Sequence, residues 1–232
     1  MSKNKKVIII LFSLIFLCLI LAGFFLVNSV VEGGAFRSEM KNLELLDVVK
    51  DRFNTRIKST KDYAIVEKRI KDYLDDCSIT YSSIINILNS KKLNKMLSVD
   101  NYKKDGPNFK NSLKYIEKLE NKYDKLNKKF SESNKEDNIL DNIEKEKLDD
   151  YYISIYKDNM IDGKLKKNLD KSINNSKTSR QKVKNKISNI KEVITILKNN
   201  KDKWNIKKNK ISFDDYKLYE KYNELVKKIK KK

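Results

Sequence analysis

The sequence predicts an all-α protein: an N-terminal transmembrane helix, then an antiparallel helical-hairpin bundle with one small β-hairpin near the C-terminus. Three observations predict it. Residues 7–27 hold no charged side chain, in a chain that is 36% charged. Beyond them, apolar residues recur at spacings of three and four, the period of a helix buried on one face. One Pro and five Gly in 232 residues are too few for the turns of a β-sandwich.

The first segment reads as a membrane anchor. Seventeen of the 21 residues in 7–27 are Leu, Ile, Val or Phe, and at 1.5 Å per residue they reach about 30 Å, the thickness of a hydrocarbon core. A secretory signal has a shorter apolar region, about 7–15 residues, and a small-residue cleavage site; only a poor site, Val27-Asn28-Ser29, is present. Lys3, Lys5 and Lys6 precede the span, whereas Glu32, Arg37, Glu39 and Lys41 after it nearly cancel. The positive-inside rule then leaves residues 1–6 as a cytoplasmic tail, 7–31 as the membrane helix and 32–232 as one extracytoplasmic domain.

Within that domain the stripes mark the helices in turn. Phe36, Met40, Leu43, Leu46, Val49, Phe53 and Ile57 predict a first helix. Ser59 or Thr60 is placed to cap a second, carrying Val66, Ile70, Tyr73, Cys77, Ile84 and Leu88, with an extension through Leu93 and Leu97. Ser98–Asn108 reads as a loop, and its Pro107 suits the first turn of the next helix. Phe109, Leu113, Ile116, Leu119, Tyr123, Leu126 and Phe130 form that third stripe. Ser131–Asn138 is polar and reads as a turn. Ile139, Ile143, Leu148, Tyr152, Ile155 and Met160 predict one helix ending at Gly163. A long helix follows, from Leu165 to Leu197, whose apolar-poor middle, Asn174–Lys182, is expected to protrude or fray.

The helical period breaks at 203–213. With Lys208-Asn209 as a two-residue turn, Trp204 faces Phe213 and Ile206 faces Ile211, which predicts a β-hairpin whose apolar side lies on the bundle. Ser212 or Asp214 is placed to cap a last helix with Tyr216, Tyr219, Tyr222, Leu225, Val226 and Ile229.

Composition narrows the chemistry. The chain carries 52 Lys+Arg against 32 Asp+Glu, a net +20, and has no His. The usual general base and the commonest metal ligand are therefore missing. Of the basic residues 47 are Lys and five Arg; base readout relies on the planar Arg fork, so specific nucleic-acid recognition is not expected. The surface suits polyanions. Cys77 is the only Cys outside the span, so no intramolecular disulfide forms. Abundant Lys, Asn and Ile, and export without disulfides, fit a bacterium with an AT-rich genome and a Gram-positive type of envelope.

Ser-x-x-Lys occurs at Ser2, Ser38, Ser154, Ser179 and Ser188, but with 47 lysines such matches arise by chance, and the companion elements of the peptidoglycan-active serine enzymes are absent. The pairs Asp75-Asp76, Asp149-Asp150 and Asp214-Asp215 sit among lysines at helical spacing, as solvated helix faces do. The residues placed best for binding are Asp100, Tyr102 and Asp105 in the 98–108 segment, and Tyr151, Tyr152 and Tyr156 on one helix, where aromatics beside lysines can stack on bases or sugars.

These readings lead to an expectation of a membrane-anchored helical protein with a structural or interaction role at the cell envelope and no enzymatic activity. Its expected partners are membrane lipid, through residues 7–31, and an envelope protein, anionic wall polymer or anionic lipid; no cofactor or metal is expected. Two alternatives stand beside it. One is a ligand-binding sensor with a tyrosine-lined pocket and a separate signalling partner. The other is a basic secreted protein released by cleavage of the anchor.

Overall fold

The structure, a computed structural model, describes residues 33–47 and 49–230. The expected tail, 1–6, and span, 7–31, lie outside them; among the described residues no helix is long and apolar enough to cross a membrane. The described residues are mostly helical, with one two-stranded antiparallel sheet. In chain order the elements are α1 (33–44), α2 (Lys61–Ile85), α3 (Lys91–Lys95), α4 (Val99–Asp105), α5 (Lys110–Ser133), α6 (Glu136–Glu144), α7 (Asp150–Met160), α8 (Lys164–Asn199), β1 (Trp204–Lys207), β2 (Lys210–Phe213) and α9 (Tyr216–Lys230).

α8 is the axis of the fold. Its 36 residues are about 54 Å long, and it packs on α2, α5, α7 and α9. α5 runs antiparallel to it: Arg180 bonds Asn127 at 2.6 Å while Lys191 bonds Glu120 at 2.7 Å. One apolar core joins the two ends. Val66, Ile70, Leu74, Ile139, Tyr156 and Met160 fill it near the start of α8, and Leu93, Phe109, Ile190, Leu197 and Trp204 fill it near the end. The middle of α8 does not fray. It stays helical because Ser176 and Arg180 fill the place of apolar residues: Ser176 is fully buried, and the Arg180 guanidinium lies 4.9 Å over the Phe130 ring.

The hairpin forms in the expected register, Trp204 opposite Phe213 and Ile206 opposite Ile211. Lys208 and Asn209 both take left-handed backbone, φ 48 and 58, the geometry whose twist matches a two-residue hairpin. Trp204 covers its apolar side by stacking on Phe109 at 5.8 Å and donating its indole N–H to the Leu197 carbonyl at 2.8 Å.

Several boundaries differ from the sequence reading, and the turn expected over 131–138 narrows to Asn134 and Lys135 between α5 and α6. The first helix ends at residue 44, and 52–60 has no regular secondary structure, because the Glu67 carboxylate accepts the N–H groups of Lys58 and Ser59 (3.0 and 2.8 Å) that a helix would use. The Ser59 hydroxyl goes to the same carboxylate, 2.6 Å away, so neither Ser59 nor Thr60 caps α2 with its side chain. The 98–108 segment holds α4, capped by Ser98 accepting from the Asn101 N–H at 3.2 Å, and Pro107 precedes α5 rather than opening it. The helix expected over 139–160 is two, α6 and α7, interrupted at 145–149. α9 is capped by Asp215, not by Ser212 or Asp214: its carboxylate accepts from the Leu218 N–H at 3.1 Å.

Candidate functional site

The six residues singled out by sequence do not converge. Asp100 is exposed in the first turn of α4, where its charge favours the helix N-terminus. Tyr102 is buried; its hydroxyl pairs with that of Tyr222 at 3.1 Å and its ring meets Phe109 and Trp204 edge-on. Burial pushes the Tyr102 hydroxyl far above its ordinary pKa. Asp105 holds the start of α5, accepting from the N–H groups of Asn111 (3.1 Å) and Ser112 (2.7 Å). Burial opposes its charge, but these bonds outweigh that and keep its carboxyl below the usual range.

The α7 tyrosines belong to a different part of the molecule. Tyr156 is fully buried and donates to the Ile139 carbonyl at 3.0 Å, which ties α7 to α6. Tyr152 meets Tyr63 edge-on at 5.1 Å, and Tyr151 shares a 3.0 Å hydroxyl contact with Tyr63. Burial, then that hydroxyl, pushes Tyr63 up to about 12. Phe36 completes the cluster 5.4 Å from Tyr63. The rings pack on one another at the end of the bundle near Phe36, with Tyr151 exposed at the edge of the cluster.

A buried ionic cluster escaped the sequence reading. Lys71, 1% exposed, lies 2.7 Å from Glu39 and 2.8 Å from Glu67, which are 4% and 0% exposed. The Lys71 ammonium also donates to the Arg56 carbonyl at 2.7 Å, and Lys58 reaches Glu39 from the solvent side at 2.5 Å. Burial raises the pKa of both carboxyls, yet the lysine contacts, with Ser59 and two backbone N–H groups on Glu67, hold both below the usual carboxylate range. The cluster fastens α1 and the 52–60 segment to α2. One signal in the chain pointed to it: Glu67 stands four residues after Tyr63 and three before Ile70, on the apolar stripe itself.

The feature best suited to a ligand is the distribution of charge. Residues 163–232 carry 23 Lys+Arg against seven Asp+Glu, a net +16, whereas 132–162 carry four against ten, a net −6. The α8–α9 layer is therefore strongly basic, and the α6–α7 segment acidic. Among the described residues only five lysines of the basic stretch, Lys164, Lys166, Lys191, Lys203 and Lys228, have a carboxylate within 4.0 Å. The groove between α2, α5 and α6 is different: it mixes signs and neutralises itself, with Lys129 on Asp76 at 2.7 Å and Lys128 on Glu132 at 3.7 Å. No group of three metal-ligating side chains comes together among the described residues. Comparison with protein-family profiles, curated proteins and solved structures finds no match to this chain.

Proposed function

We propose that this protein is held in the membrane by residues 7–31 and uses the basic α8–α9 layer to bind an anionic polymer of the bacterial cell envelope, as a structural or interaction element that carries out no chemical step. The observation that carries this reading is the segregation of charge, +16 on residues 163–232 against −6 on 132–162. Drift toward Lys codons would spread lysine evenly over the helices; α6 holds none and α7 only Lys157. The predominance of Lys over Arg suits phosphate met as a point charge rather than bases read in a groove. The positive-inside rule supports an extracytoplasmic position for the helical domain.

Two measurements test it. Protease added to intact cells digests the helical domain and spares a membrane-embedded stub; a domain protected until lysis overturns the topology. The full-length protein in mild detergent sediments with purified cell walls, less so as salt rises, and loses this when the walls are stripped of their phosphodiester polymer. Equal sedimentation with stripped walls overturns the choice of partner.

A further inference from the structure

One cleft within the basic layer is built differently from the surface around it. It lies where α8 and the end of α9 meet the turn after α2, and has a volume of about 880 Å³. Lys182, Lys186, Lys228 and Lys230 line it, together with four asparagines, Asn94 among them, and no carboxylate. Lys186 is half-buried in its floor. Its ammonium donates to two neutral oxygens, the Leu88 carbonyl at 3.2 Å and Asn94 Oδ1 at 2.7 Å. An ammonium has three N–H donors, so one is left over. Burial lowers the pKa of Lys186, the sign of a cation whose charge is not compensated. Lys228 alone of the four has a carboxylate beside it, Glu224 at 2.6 Å on the exposed side of α9.

We propose that this cleft is a binding site for one phosphodiester unit of a hydroxyl-rich anionic polymer, with Lys186 as its central contact. The lysines supply the charge a phosphate needs, and the asparagine amides, which both donate and accept, suit the hydroxyls of a polyol or sugar beside it. Position argues for a polymer over a lipid headgroup. Lys186 lies 18 residues along α8 from Asn168, which bonds the Glu44 carbonyl at the end of α1; with the length of α1 added, the cleft stands on the order of 40 Å from residue 33, far from a bilayer entered there. The assignment rests on the reading of the α8–α9 layer given above and narrows it to one place.

The test is calorimetric titration of the full-length protein in detergent with a synthetic glycerol-phosphate hexamer at two salt concentrations, with phosphatidylglycerol vesicles as a second arm. Lys186→Gln is expected to weaken hexamer binding at least tenfold. Lys177→Gln, which removes the same charge from an exposed position on the same helix outside the cleft, is expected to change it less than twofold. If Lys186→Gln is unfolded by circular dichroism, Lys182→Gln at the exposed wall of the cleft takes its place, with at least a threefold loss expected. Equal losses in the cleft and control variants overturn the site but leave a diffuse basic layer standing. No binding by the unaltered protein overturns both readings. Lysine-dependent binding to the vesicles alone overturns the polymer as the source of phosphate.

Discussion

Replacing Lys71 by Met separates two accounts of what the buried charges do. The substitution keeps a four-atom stem like that of lysine and removes the ammonium that lies 2.7 Å from Glu39 and 2.8 Å from Glu67. Glu39 retains Lys58, and Glu67 retains Ser59 and two backbone N–H groups, but the two carboxylates lose the cation between them. Leaving a buried charge uncompensated costs about 3–5 kcal/mol, a lowering of the melting temperature on the order of 10 °C for a domain of this size. The pH dependence has a definite sign. In the unaltered protein both carboxyls are held below the usual range, so their contribution is complete above pH 4.5 and is lost as pH falls through the folded values. In the variant burial dominates, the carboxyls take up protons more readily than in the unfolded chain, and acid relieves the penalty; the deficit is therefore larger at pH 7 than at pH 4. The assay is thermal unfolding of the full-length chain in detergent, followed by far-ultraviolet circular dichroism at both pH values. The triple variant Glu39→Gln, Glu67→Gln, Lys71→Met removes all three charges and recovers most of the loss. A single variant within about 1 kcal/mol of the parent at pH 7, or a deficit that grows toward pH 4, refutes the reasoning.

Other consequences are equally direct. Asn209→Val places a β-branched residue at φ 58 in the hairpin turn and costs about 1–2 kcal/mol, read as faster amide exchange across Trp204–Phe213; Asn209→Gly slows that exchange. A methyl group at Gly163 would lie 2.2 Å from the Asp158 carbonyl oxygen, so Gly163→Ala forces the α7–α8 turn to move, at about 1–3 kcal/mol, measured as a shift in the melting temperature. The Cys77 thiol is buried, and burial pushes its pKa up to about 11; iodoacetamide at pH 8 leaves it unmodified in the folded protein and alkylates it in urea, as mass spectrometry will show.

The elements legible in the sequence are those whose signal is local. The hairpin could be placed residue by residue because a period of two, aromatic and branched residues on one face and a two-residue turn all agree. α5 was visible because it carries an unbroken apolar stripe, and α8 because apolar stripes stand on both sides of its polar middle. What remained hidden depends on contacts distant in sequence. Phe53 and Ile57 continue the spacing of the first helix, yet Glu67, nine residues past Lys58, captures the N–H group of Lys58. Glu67 and Lys71 resemble a solvated pair one helical turn apart until Glu39 and Arg56 close over them. The polar middle of α8 looked unsupported because its support, Asn127 and Phe130, comes from another helix. Among the candidate binding residues, an aromatic ring in the sequence does not declare which side of a helix it packs on: Tyr102 and Tyr156 went inward, and the lysine cleft, assembled from three separate stretches of chain, had no motif to display.

The unbroken run of α8 has a mechanical consequence. Because the same helix forms part of both ends of the core, the two ends have no hinge between them, and a load applied near the lysine cleft travels along a continuous ladder of backbone hydrogen bonds to the end where α1 is fastened. There it meets the Glu39–Lys71–Glu67 fastening rather than a flexible joint. A molecule built this way behaves as a strut: it fixes the distance between its lysine cleft and the end where α1 is fastened.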